Sequence, residues 1–337
     1  SADRVNERVR RARRSAWAKV TSLWNERMKE LASTEMQWVD GAVKTVSPVI
    51  LDTKRVPLAR VESLVNARPF EGRVLRQWAS SVAQSDLARI QDTIRSGVAQ
   101  GLPPREIARG VVGSARLRGT DGATQITRRN AEAITRSAVI HYSAQARRLW
   151  SEANRDLVER ELYVATLDSR TTPICRALDG EIFEVGKGQY PPVHFNCRSA
   201  RTMILSPEAV GQRPAKPSTQ RQLLREYAAQ NNIKAPRQRK NLPRGHKARF
   251  DQFARRRIRE LTGTVPAKVT YRQWLKRQTK EFQNDVLGPT RAKLFREGGL
   301  DLDKFVDRQG KELNLKELVR VERQAFIDAG LDPGDYL

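Results

Sequence analysis

Two cysteines and a histidine hold the chain's most suggestive chemistry. His194 and Cys197 stand three residues apart, Cys175 precedes them, and Asp168 lies just upstream. A short His-x-x-Cys loop with a distant cysteine supplies three soft ligands for Zn²⁺, and Asp168 is the candidate fourth. The same residues also fit a buried thiol pair beside a hydrogen-bonded histidine, or a disulfide formed on release into oxidising surroundings. A nucleophilic Cys197–His194 pair lacks a recognisable third group to orient it. Asp168 and Arg170 read most simply as a turn or ion pair, because no second carboxylate or nucleophile stands at a catalytic spacing. There is no phosphate-cradling glycine loop, metalloprotease helix motif or GxSxG elbow. The residues point away from an enzyme and towards a structural site.

The elements that must position these residues are mostly helical. Ala16, Val20, Leu23, Trp24 and Leu31 recur at spacings near one helical turn, and Pro48, Pro57 and Pro69 break the next stretch into short segments. Leu75, Trp78, Val82, Leu87, Ile90 and Ile94 predict a second helix ending near Gly97 and Gly101, and Pro103-Pro104 predicts a helix with proline in its first turn. After an exposed loop at 116–122, a long helix is expected over 127–154, with Ile134, Ala138, His141, Tyr142 and Leu149 facing inward. Strands are expected at 162–166, 181–185 and 200–205, which makes 161–205 a small β-containing unit. Capping boxes at Thr270/Gln273 and Asn314/Glu317 open helices in the last segment. Trp274, Leu275, Gln278, Phe282 and Val286 then share one face, with Gly288-Pro289 as a stop. Trp274, Leu275 and Phe282 are either core or an anchor that docks on a partner protein. The fold class is α+β and predominantly helical.

Charge narrows the partners. The formal net charge is +25, a field that draws in polyanions. Fifteen lysines and arginines stand against two acids between Gly211 and Arg259, where prolines 207, 214, 217, 236 and 243 prevent one continuous helix. Residues 207–262 are therefore expected to be a basic linker or arm that meets duplex DNA without sequence preference. Its candidate contacts are Arg237, Arg239, Lys240, Arg244, Lys247, Arg255, Arg256 and Arg257. The arm lacks interleaved aromatics, so backbone contact is favoured over base stacking. No apolar run nears the roughly 18 residues of a spanning helix, so no membrane partner is expected. The opening residues do not read as a signal peptide, and two cysteines fit assembly in a reducing cytoplasm.

Separated elements then fall into a recognisable order: Asp168-Ser169-Arg170-Thr171 with Cys175, Leu178-Asp179-Gly180, and Pro191-Pro192-Val193-His194-Phe195-Asn196-Cys197-Arg198. This stretch resembles the phage Mu F-like head-morphogenesis family, over about 95–206. Arg136 and Ser137 match the first two positions of that family's Arg-Thr-Glu element, with Ala138 in place of the acid. Thr172 and Ser199 replace the second cysteine of each family pair. The final segment is also similar to tails seen on such proteins. The resemblance implies structural roles for Arg136, Asp168, Arg170, Gly180, Pro192, His194, Asn196, Cys197 and Arg198. It implies a minor head protein in the virion, in the head interior or near the portal, made in the host cytoplasm. Portal and major capsid proteins are the expected partners, no cofactor is required beyond an optional zinc, and a head-packaged enzyme delivered with DNA is the alternative. The expected organisation is an N-terminal helical region at 1–94, the family domain at 95–206, the arm at 207–262 and a C-terminal helical segment at 263–337.

Overall fold

The computed structural model describes residues 2–46, 52–70, 72–117, 119–205 and 211–337. They form two compact units, the first from 1–159 with 184–197 and the second from 160–183 with 198–337.

The first unit is helical. Helix α1 spans Ala2–Val46, α2 Leu58–Ala67, α3 Leu75–Ala99, α4 Pro104–Val112 and α5 Thr124–Ala153. The apolar spacing read for α3 and α5 is the spacing that buries them. Leu75 and Val82 of α3 meet Ile134, Ala138, Tyr142 and Leu149 of α5 in one core, with Met28 of α1 and Leu64 of α2. Polar side chains fasten α1 at two further places. Asp86 is buried on α3 and accepts hydrogen bonds from the Arg13 guanidinium and from Trp17 Nε1 at 3.0 Å. Arg147 Nε donates to Glu35 at 2.6 Å, and Trp150 Nε1 donates to Asp40 at 3.2 Å. At the end of α5, Asn154 exchanges two hydrogen bonds with the backbone of Lys54, at 2.6 and 3.1 Å.

The second unit mixes short strands with helices. Strand β1 is Arg160–Val164, β2 Leu167–Asp168, and helix α6 Pro173–Leu178; β3 comes next at Ile182–Glu184 and β4 at Ala200–Met203. Strands β3, β1 and β4 form one sheet in that order, with Leu162 opposite Thr202 across the antiparallel β1–β4 pair. Glu161 and Arg201 form a fully buried ion pair on those strands.

The small β-containing unit expected at 161–205 reaches beyond those bounds, because β2 belongs to a second sheet. Strand β5 (Gln212–Lys216) pairs in parallel with β2, placing Asp168 opposite Lys216, and antiparallel with β6 (Gly263–Pro266). Between β5 and β6 lie helices α7 (Gln220–Gln230) and α8 (His246–Leu261). The segment expected to be an arm is thus folded. Leu223, Leu224 and Tyr227 of α7 bury against Phe250 and Phe253 of α8, with Leu242 between the helices. Five large apolar side chains at helical spacing outweigh a basic composition, which governs only the outward faces.

The last segment is built from α9 (Tyr271–Lys276), α10 (Lys280–Leu287), α11 (Pro289–Arg296), α12 (Leu315–Val321) and α13 (Arg323–Asp328). Both capping boxes form, Thr270 with Gln273 and Asn314 with Glu317. The single helix expected from Trp274 to Val286 is two. Thr279 caps α10 through Phe282 N–H and so restarts the chain in a new direction. Gly288-Pro289 ends α10 and also opens α11, since proline needs no hydrogen-bond partner at a first helical position.

Candidate functional site

Asp168 ends β2 with its side chain almost fully buried. Arg198 grips its carboxylate from both guanidinium ends, one at 2.9 Å. The backbone N–H of Arg170 donates to Oδ1 at 3.0 Å and the Thr171 hydroxyl at 3.2 Å. Tyr271 OH donates to the Asp168 carbonyl at 2.7 Å. Burial alone would raise this carboxyl's pKa, but the Arg198 hydrogen bond and charge and the Arg170 N–H outweigh it and hold the group below the ordinary carboxylate range. An acid held ionised and fully engaged serves poorly as a proton donor. Arg170 itself is mostly exposed, and its guanidinium stands 3.9 Å from Asp168.

A second buried carboxylate sits beside it and is not evident from the sequence. Asp179 accepts from Ala165 N at 2.5 Å, from Tyr271 N at 2.5 Å, and from both ends of the Arg213 guanidinium at 2.9 and 3.1 Å. Arg213 also donates to the carbonyls of Ala165 and Val269. Between them Asp179 and Arg213 tie together the β1–β2 turn, β5 and the start of α9. In the sequence Asp179 is only the middle of a Leu-x-Gly turn, and Arg213 only one more cation of a basic stretch. Gly180 next to it has φ +95°, and an added Cβ would stand 2.7 Å from Thr270 Cγ2. Glycine is required there for both reasons.

In the first unit the motif brings Arg136 and Asn196 together. Arg136 Nε on α5 donates to Asn196 Oδ1 at 2.9 Å, and Asn196 N donates to Ser137 Oγ at 3.0 Å. Asn196 holds a left-handed backbone, φ +59°, which asparagine tolerates better than most residues. Pro192 follows a cis peptide bond. Phe195 packs edge-on to Trp78 at 5.0 Å.

Cys175 and Cys197 are buried and are not joined in a disulfide. Cys175 lies in the second unit, in α6, while His194 and Cys197 lie in the first. His194 Nδ1 sits 2.8 Å from the Phe195 carbonyl, and donation there fixes the tautomer that leaves the lone pair on Nε2. Asp168, the expected fourth ligand, is already engaged. Its carboxylate oxygens are committed to Arg198, the Arg170 N–H and Thr171.

The expected DNA contacts divide into two sets. Arg239 is paired with Asp251, Arg257 with Glu226 and Glu260, and Arg256 with Glu260. Arg237, Lys240, Arg244, Lys247 and Arg255 are at least partly exposed, and none forms an ion pair among the described residues. Trp274, Leu275 and Phe282 are buried in the second unit's own core with Phe295, Leu318 and Phe326, so they are not presented to a partner. Their stripe is covered by the neighbouring helices α11 to α13.

Against known proteins, residues 88–202 match the family model described as Phage Mu protein F like protein. The chain carries a phage Mu protein F-like region. The match runs from within α3 into β4 and takes in Arg136, Asp168, the Leu-x-Gly turn and the Pro-Pro-x-His-x-Asn-Cys-Arg loop. No curated protein and no solved structure matches the chain.

Proposed function

We propose that this chain is a minor structural protein of a tailed-phage head, positioned in the head interior or at the portal, where it contacts packaged DNA. The phage Mu F-like region carries the reading: its motif residues cross-link loops and strands instead of converging on a reacting centre. Asp168, Arg198, Arg136 and Asn196 act as positioning residues that keep the loops around 168–180 and 188–199 in place. Portal and capsid proteins are the partners, and duplex phosphates the ligand of the exposed cations around α8. No helix among the described residues is long and apolar enough to cross a membrane.

Quantitative mass spectrometry of purified virions tests the assignment. A few to tens of copies per particle is the expected result, and absence from full heads removes the reading. Cys175, His194 and Cys197 are soft donors of the kind Zn²⁺ prefers, and their zinc reading rests on the sequence. Metal analysis of the reduced, chelator-treated and reloaded protein tests it: about one equivalent supports zinc, and a value below about 0.2 removes it.

A further inference from the structure

Helix α4 is the most one-sided helix of the first unit, yet none of its residues is buried. Ile107 and Val111 are half-covered, and Val112 is 62% exposed. A nine-residue helix gains little from its own backbone and depends on packing of its apolar face. That face opens on a groove of about 770 Å³, whose other walls include Val5 and Val9 of α1 and Ile94 and Val98 of α3. Val5 and Val98 are each about half exposed, at 50% and 52%. Scattered exposed valines are ordinary, but a continuous apolar trough between three helices marks a binding surface.

Charge around the trough identifies what fits it. At about 100° per residue, Val5, Val9 and Ala12 define the groove-facing stripe of α1. Arg8 borders that stripe, while Glu7 lies on the far side of the helix. On α4 the stripe is Ile107, Ala108 and Val111; Arg105 borders it, while Glu106 and Arg109 lie on the far side. One arginine borders the groove on each helix, and the acids turn outward. A second copy of this chain would bring a like net charge of +25 to the same place.

We propose that this groove seats an acidic amphipathic helix of another protein. The partner's apolar residues, spaced i, i+3, i+4 and i+7, fill the trough beside Val98 and Val111, and its carboxylates meet Arg8 and Arg105. The surface is independent of the DNA contact, which uses the cations around α8 in the other unit.

The test uses the full chain and three fluorescent peptides of about 18 residues, long enough for five turns of helix. One is an amphipathic Leu/Glu helix, one is its Leu/Lys counterpart, and one is a scramble of the Leu/Glu composition without an apolar face. Anisotropy at near-physiological salt is expected to show the Leu/Glu helix bound at least tenfold more tightly than either control. Val98→Asp with Val112→Asp, both at exposed positions, should abolish that preference while circular dichroism stays unchanged. Arg8→Glu and Arg105→Glu together should transfer it to the Leu/Lys helix. Equal binding of the Leu/Glu helix and the scramble overturns the proposal, because it reduces the effect to bulk charge. So does unaltered binding by the two aspartate substitutions. A concentration-dependent dimer that those substitutions abolish would show instead that a second copy covers the groove.

Discussion

Asp179 is a buried carboxylate with four hydrogen bonds, and Arg213 supplies two of them. Removing one partner of such a pair leaves the other charged and dry, a loss of about 3–5 kcal/mol. Arg213→Ala should therefore destabilise the second unit by that amount in urea unfolding. Arg237→Ala, an exposed cation, should change stability by less than about 0.5 kcal/mol. Similar small losses from both substitutions would show that Asp179 does not depend on Arg213. His141 makes a different prediction in the first unit. It lies 5.4 Å from the Phe70 ring, and burial lowers its pKa from 6.5 to about 4. The unfolded chain takes up this proton first as the pH falls. The stability that the neutral imidazole contributes is therefore complete above pH 6.5 and is lost towards pH 4, by roughly 3 kcal/mol in all. Asp168, with its lowered pKa, begins to lose its contribution only as the pH falls through the ordinary carboxylate value, where the unfolded chain protonates, so its loss starts where that of His141 is nearly complete. Denaturant midpoints between pH 7 and 4.5 should fall for the wild type and stay flatter for His141→Leu. Parallel curves for the two proteins would remove His141 as the cause.

At the scale of elements, α7 and α8 separate what composition shows from what spacing shows. Leu224 is fully buried between them, and Leu224→Ala should cost about 2–5 kcal/mol and speed hydrogen exchange along both helices. A flexible arm would show fast exchange in the wild type and no further change in the variant. The apolar positions are present in the sequence, but fifteen interspersed cations mask their period. Helices α3, α4 and α5 were legible because glycine and proline punctuate clear apolar stripes, and both capping boxes were legible to the residue. The β2–β5–β6 sheet was not. Strand β5, Gln-Arg-Pro-Ala-Lys, offers little alternation, and its partners lie more than forty residues away on each side. The candidate site divides in the same way. Asp168 and Arg198, or Arg136 and Asn196, belong to a recognisable motif, whereas the Asp179–Arg213 pair exists only once β5 has come back beside β2. Trp274 shows the converse limit, since a stripe cannot say whether its cover comes from the same chain.

For the whole molecule the decisive quantity is charge in excess of internal pairing. The net charge is +25, but a cation already held by a carboxylate has less to offer a phosphate. Arg239, Arg256 and Arg257 are so held, whereas Arg237, Lys240, Arg244, Lys247 and Arg255 have no ion pair among the described residues. If those five each release about 0.9 counterion on binding duplex, they supply about 4 to 5 units of the log–log salt slope. Neutralising all five to glutamine should flatten the slope by that much and weaken binding on every duplex sequence alike, because nothing in the set is built to read base edges. Neutralising the three paired arginines should alter the slope far less and act mainly on the stability of α7 and α8. Fluorescence anisotropy on two unrelated duplexes, titrated from low to moderate salt, distinguishes these outcomes. An unchanged slope in the five-site variant would move the phosphate contact away from α8, and no measurable duplex binding by the wild type would remove DNA from the chain's partners altogether.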